Sequence, residues 1–119
     1  MYAEGNVGQL RNGGGMVKAL LEAGAGGISL CYNGQTGAST AGCGFTVIDL
    51  GSGNFRIDFG FQISDRFFSV TAKYASNNGD PNHNRGANYR VFDANTLDIY
   101  QFTTGASDTN YGTVMVVVF

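Results

Sequence analysis

Residues 55–63 read Phe-Arg-Ile-Asp-Phe-Gly-Phe-Gln-Ile. Phe55, Ile57, Phe59, Phe61 and Ile63 alternate with Arg56, Asp58, Gly60 and Gln62. A helix would scatter those apolar groups around its circumference, whereas a strand sends alternate side chains to opposite faces. The stretch is therefore a strand with one apolar and one polar face, as in an antiparallel sheet laid on a core. Its partner lies just upstream: residues 45–50 precede the turn Gly51-Ser52-Gly53-Asn54, and the two runs form a hairpin.

The same texture continues along the chain. In residues 67–74, Phe68, Val70, Ala72 and Tyr74 share one face and Ser69, Thr71 and Lys73 the other. Residues 89–92 and 97–102 flank Asp93-Ala94-Asn95-Thr96, a second hairpin signature. Upstream, residues 16–22 are too short for an independent helix and pair better with 28–32 around a turn at 23–27. Residues 111–119 close the chain, and no repeat of 20–50 residues is present. About eight strands with frequent turn signals predict an all-β fold, an antiparallel β-sandwich or jelly roll. Residues 1–15, Gly/Asn-rich and aperiodic, read as a linker or stalk connection; residues 16–119 read as one β-sandwich head domain.

Charge narrows the function. Only 13% of the 119 residues are charged, the net charge is −2, and the seven cations (Arg11, Lys18, Arg56, Arg66, Lys73, Arg85, Arg90) are scattered. That distribution excludes the basic stripe of a nucleic-acid binder and a polybasic membrane patch. No run approaches the roughly 20 apolar residues that span a bilayer. Residues 1–5 lack the basic-then-apolar order of a signal peptide; if the domain is exported, its address lies elsewhere.

Cys31 and Cys43 flank a polar loop and have two readings. They close the loop as a disulfide, or they are two separate buried thiols. The disulfide is favoured, because the loop is otherwise poorly tethered. A zinc site is not expected from two cysteines and one distant His83.

Residues 114–119, Val-Met-Val-Val-Val-Phe, show no alternation and predict a strand buried on both faces. Either it is the central strand of a monomeric sandwich, or its second face packs on copies of the chain. A two-sheet sandwich buries one face of each sheet, so the second reading is favoured, with Val114, Val116, Val118 and Phe119 at the interface.

Residues 44–72 (GFTVIDLGSGNFRIDFGFQISDRFFSVTA), the Asn-rich loop, residues 89–102 (YRVFDANTLDIYQF) and residues 114–119 together resemble C-terminal head domains of bacteriophage tail fibres. Related heads terminate bacterial collagen-like or fibre-like surface proteins and are similar to C1q and tumour-necrosis-factor jelly rolls. The resemblance covers about residues 16–119 and rests on strand order and texture. It implies a homotrimer with inner strands along a three-fold axis, exposed loops that meet a receptor or glycan, and a place on a virion or cell surface. The Cys31/Cys43 pair departs from many tail-fibre heads and keeps a bacterial surface protein in view.

The search for chemistry yields no catalytic residue and no cofactor. GxSxG, HExxH, Walker-type and GxGxxG motifs are absent. His83 sits among asparagines as a solvated loop residue. Asp58 reads as balancing Arg56 on the same sheet, and Asp65-Arg66 as a locally paired turn, rather than as a glycosidase carboxylate pair. The best recognition candidate is the loop 77–88 with its shoulders. Asn77, Asn78, Asp80, Asn82, His83 and Arg85 offer donors and acceptors for sugar hydroxyls, and Tyr74 and Tyr89 offer rings to stack on. Asp80 alone is a meagre carboxylate set for a metal. The expected function is a non-enzymatic trimerisation and receptor-binding head. The alternative is a monomeric lectin-like carbohydrate-binding sandwich.

Overall fold

The computed structural model describes residues 17–73, 85–103 and 112–119. The expected linker 1–15 and most of the polar loop lie outside the described residues. Among the described residues the fold is all-β, with strands β1 (Ala19–Gly24), β2 (Gly27–Asn33), β3 (Thr46–Gly51), β4 (Asn54–Asp58), β5 (Phe68–Ala72), β6 (Arg85–Val91), β7 (Thr96–Thr103) and β8 (Val114–Val118). They form two four-stranded sheets, ordered β2-β1-β8-β5 and β3-β4-β7-β6, and every pairing is antiparallel. The expected sandwich is thus present, built from the hairpins β1–β2, β3–β4 and β6–β7.

The core lies between the sheets. Ala19, Leu21 and Ala23 of β1 and Val114, Val116 and Val118 of β8 meet Phe55 and Ile57 of β4 and Leu97 and Ile99 of β7. None of these is more than 1% exposed. The β3–β4 turn needs left-handed backbone at Gly51, Ser52 and Gly53, which the two glycines adopt without the Cβ penalty.

Three expectations are corrected. The alternation over 55–63 is not one strand: β4 ends at Asp58. Gly60 takes φ 75° and donates its N–H to Asp58 Oδ1 at 2.9 Å, which turns the chain out of the sheet. Phe59 and Ile63 stay buried because their N–H groups bond to Asn95 and Ala94 of the β6–β7 turn, at 3.0 and 2.7 Å. Second, residues 85–88, read as loop, form the first half of β6, paired with residues 100–103 of β7. Third, within one chain β8 is buried on one face only. Val114, Val116 and Val118 face the core, whereas Met115 and Phe119 are exposed and Val117 is half-buried.

Cys31 and Cys43 are bonded, with Cα atoms 6.1 Å apart, and tie β2 to a short 3-10 turn at Ala41–Gly44. Closing a loop of this length stabilises a chain by about 3 kcal/mol. Within the loop, the buried Asn33 side chain donates to Cys43 O at 3.0 Å and accepts from the N–H of Gln35 at 2.9 Å. No helix among the described residues is long and apolar enough to cross a membrane.

Candidate functional site

Of the residues proposed for recognition, Tyr74, Asn77, Asn78, Asp80, Asn82 and His83 lie outside the described residues. Arg85 opens β6, paired with Thr103. The Tyr89 ring lies 5.3 Å from Phe68, where it joins the edge of one sheet to the edge of the other, although the residue remains exposed. Val114, Val116 and Val118, expected at an axis, are instead fully buried in the monomer's own core; only Phe119 of that set is exposed.

The outer face of the first sheet instead carries exposed apolar side chains. The register places Tyr32, Leu20 and Val117 in one row and Leu30, Glu22 and Met115 in the next. Phe119 lies beside Phe67, its N–H donating to Phe67 O at 2.9 Å. Phe67 is 82% exposed and Leu30 64%. Leu20, Leu30, Tyr32 and Met115 border a hollow of about 200 Å³. Glu22, within this face, is nearly buried: Oε1 accepts from Lys73 Nζ and Thr113 Oγ1, both at 2.8 Å. The Lys73 bond, with that of Thr113, holds its carboxyl below the usual range.

The outer face of the second sheet is built around Asp98. Pairing aligns Ile48, Arg56, Asp98 and Arg90 across β3, β4, β7 and β6. Arg56 donates to both Asp98 oxygens, at 2.6 and 3.2 Å, Arg90 donates to Oδ2 at 3.0 Å, and the Tyr100 hydroxyl to Oδ2 at 3.3 Å. The Arg56 guanidinium also stacks 3.4 Å from the Phe92 ring centroid. The Arg56 bonds in particular hold the Asp98 carboxyl below its ordinary value against the opposing effect of burial. A carboxylate so engaged is a poor proton acceptor. Arg56 therefore pairs with Asp98, while Asp58 caps the Gly60 turn; the expected Arg56–Asp58 balance is not made. Arg66 does sit 3.7 Å from Asp65, as the local turn pairing predicts.

A third feature is an open cleft of about 440 Å³ at one end of the sandwich, bordered by residues 24–29, Gly53, Gln101, Gly112 and Thr113. Gln101 Nε2 donates to Gly53 O at 2.7 Å and Gly112 O at 3.2 Å and is thereby fixed. No ionisable side chain is among its described lining residues. Also among the described residues, no group of three or more His, Cys, Asp and Glu could hold a metal ion.

The sequence reading missed Arg90, Asp98 and Phe92 as a unit. Their alternation was visible, but the strand pairing that brings them together was not. No protein-family model, curated protein or solved structure matches the chain. The described residues define a small all-β, eight-stranded two-sheet sandwich, consistent with a binding or structural role.

Proposed function

We propose that the chain is a non-enzymatic head domain of a fibre-like surface protein, which trimerises through the outer face of its first sheet and contacts a receptor or surface glycan with its remaining surface. The observation that carries this reading is that outer face: Leu20, Leu30, Tyr32, Met115, Val117, Phe119 and Phe67. Glu22 and Lys73 on this face are paired with each other at 2.8 Å. Exposed apolar side chains clustered on one sheet face support an interface there, with the polar Ser69 and Thr71 of β5 at its border.

The shape favours copies of the chain as the occupant. Phe67 stands out beside the β5 edge, while the hollow bordered by Leu30 and Tyr32 lies toward the opposite, β2 edge. A knob and a hollow at different places on one surface pair heterologously, and a heterologous contact that closes makes a ring. The resemblance to trimeric fibre heads sets the ring at three. The disulfide suits an oxidising compartment, hence an extracellular or virion-surface position.

Light scattering coupled to size exclusion tests this. A mass near three chains is expected, falling to one chain in Phe67→Asp and in Leu30→Asp with far-UV circular dichroism unchanged. A wild-type monomer at high micromolar concentration sinks the trimer and leaves a monomeric lectin-like sandwich.

A further inference from the structure

We infer that the outer surface along β6 and β7 is a binding site for a carboxylate-bearing saccharide, with Arg90 as the anchor for the carboxylate. This deepens the surface-binding half of the proposed function and rests on it. It does not depend on the trimer.

Successive outward positions on β6 and its exit are Gly86, Asn88, Arg90 and Phe92. At about 3.4 Å per residue they cover about 20 Å, the length of a short oligosaccharide. Phe102 lies over Gly86, so closely that a Cβ there would enter the ring. Exposed aromatic rings therefore stand at both ends, Phe102 and Phe92, with an exposed amide and a guanidinium between them. Sugars are bound by such a combination: rings cover their C–H faces, and amide and phenol groups meet their hydroxyls.

The charge points to an acidic sugar. Asp98 is one carboxylate shared by two guanidiniums, and Asp93 offsets Arg56 from the other side, so the charge left least neutralised is that of Arg90. The two arginines are not equivalent. Arg56 is held by two bonds and stacked on Phe92, with its side chain 22% exposed. Arg90 makes one bond, through Nη2, and its side chain is 60% exposed. A guanidinium has five N–H donors in a planar fork, so most of this one faces solvent, braced by Asp98. Tyr100 and Phe92 flank it at 5.7 and 5.9 Å. One exposed fork suits a monoanion, and its geometry matches a carboxylate bidentately. A peptide strand added to β6 is disfavoured, because Tyr89 packs against Phe68 of β5 at that edge.

The test titrates the disulfide-intact domain with an oligogalacturonate, its methyl ester, a sialylated trisaccharide, a sulfated disaccharide and a glutamate-rich peptide. Nitrogen-15 NMR follows the Arg90 side chain and the Asn88 amide. Saturable shifts with the oligogalacturonate or the sialylated sugar are expected, and which of the two binds assigns the acid as a uronic or a nonulosonic one. The methyl ester and Arg90→Gln should each weaken binding at least tenfold, and Phe102→Leu severalfold; because Arg90→Gln also takes one partner from Asp98, each variant is titrated below its own thermal midpoint with circular dichroism showing it folded. The inference is overturned if neither acidic sugar shifts Arg90, if Arg90→Gln binds as wild type, or if the sulfated sugar or the peptide binds more tightly. Wild-type binding to a neutral-glycan array without binding of either acidic sugar would sink this site and spare the surface-binding reading. Failure of the wild type on the neutral-glycan array and on the acidic sugars would sink both.

Discussion

Asp98 lies on the outside of β7 yet is fully buried, because side chains from the strands on either side close over it. Its folded-state pKa lies below the ordinary 3.8, chiefly through the Arg56 hydrogen bonds. The unfolded chain therefore takes up this proton at higher pH than the folded one. The stabilisation is complete above about pH 5 and is lost as pH falls through the folded value. Glu22 follows the same sign from its ordinary 4.5. Thermal midpoints should thus be flat from about pH 5 to 8 and fall steeply below about pH 4. Asp98→Asn should lower the plateau by about 2 kcal/mol, allowing for water around both arginines, and flatten the acid limb. An unchanged acid limb would show that the pair contributes nothing. Gly86 makes a second case. The atoms nearest a methyl there are at the far end of the Phe102 ring, which can swing into solvent. Gly86→Ala is expected to change stability by less than about 0.5 kcal/mol, since lost ring packing offsets the glycine's greater unfolded entropy. The ring should leave the strand, read as loss of the ring-current shift on the residue-86 α-proton.

β8 separates what a strand's composition reveals from what only its pairing reveals. Apolar residues at every position predict burial on both sides, but the two sides differ: Val116 is sealed in the core and Val117 is half-buried on the outer face. Val116→Ser should cost about 2–4 kcal/mol in any oligomeric state, by loss of methyl packing and burial of a hydroxyl. Val117→Ser should leave the isolated domain folded and act only on association. Urea denaturation beside mass measurement separates the two, and equal destabilisation of both would refute the assigned faces. The two hairpins around 51–54 and 93–96 were readable because turn chemistry and period-two alternation are local. The end of β4 was not, since Phe59 and Ile63 remain apolar and buried while their hydrogen bonds go to a turn more than thirty residues away. Residues 85–88 were misread because an edge strand with a polar outer face has the composition of a loop. The Arg56–Asp98–Arg90 row joins residues up to 42 apart in sequence, so nothing short of the strand register could disclose it.

Association and folding are coupled if the first sheet's outer face is completed only by other copies. For three chains that separate on unfolding, a hundredfold dilution lowers stability by two-thirds of RT ln 100, about 1.8 kcal/mol per chain. For a domain of this size that is a drop of several degrees in the thermal midpoint. A monomeric sandwich shows no such dependence, because its core is complete within one chain: both sheets already bury their inner faces against each other. Scans of the oxidised protein at concentrations a hundredfold apart therefore distinguish the two. Phe67→Asp should remove the dependence, since it places a charge on the most exposed apolar group of the face without touching the core. A midpoint independent of concentration in the wild type, with mass at one chain, would mean that the apolar face serves a different partner. The Arg90 surface would then act on its own, without the multivalency that three copies on one fibre end provide.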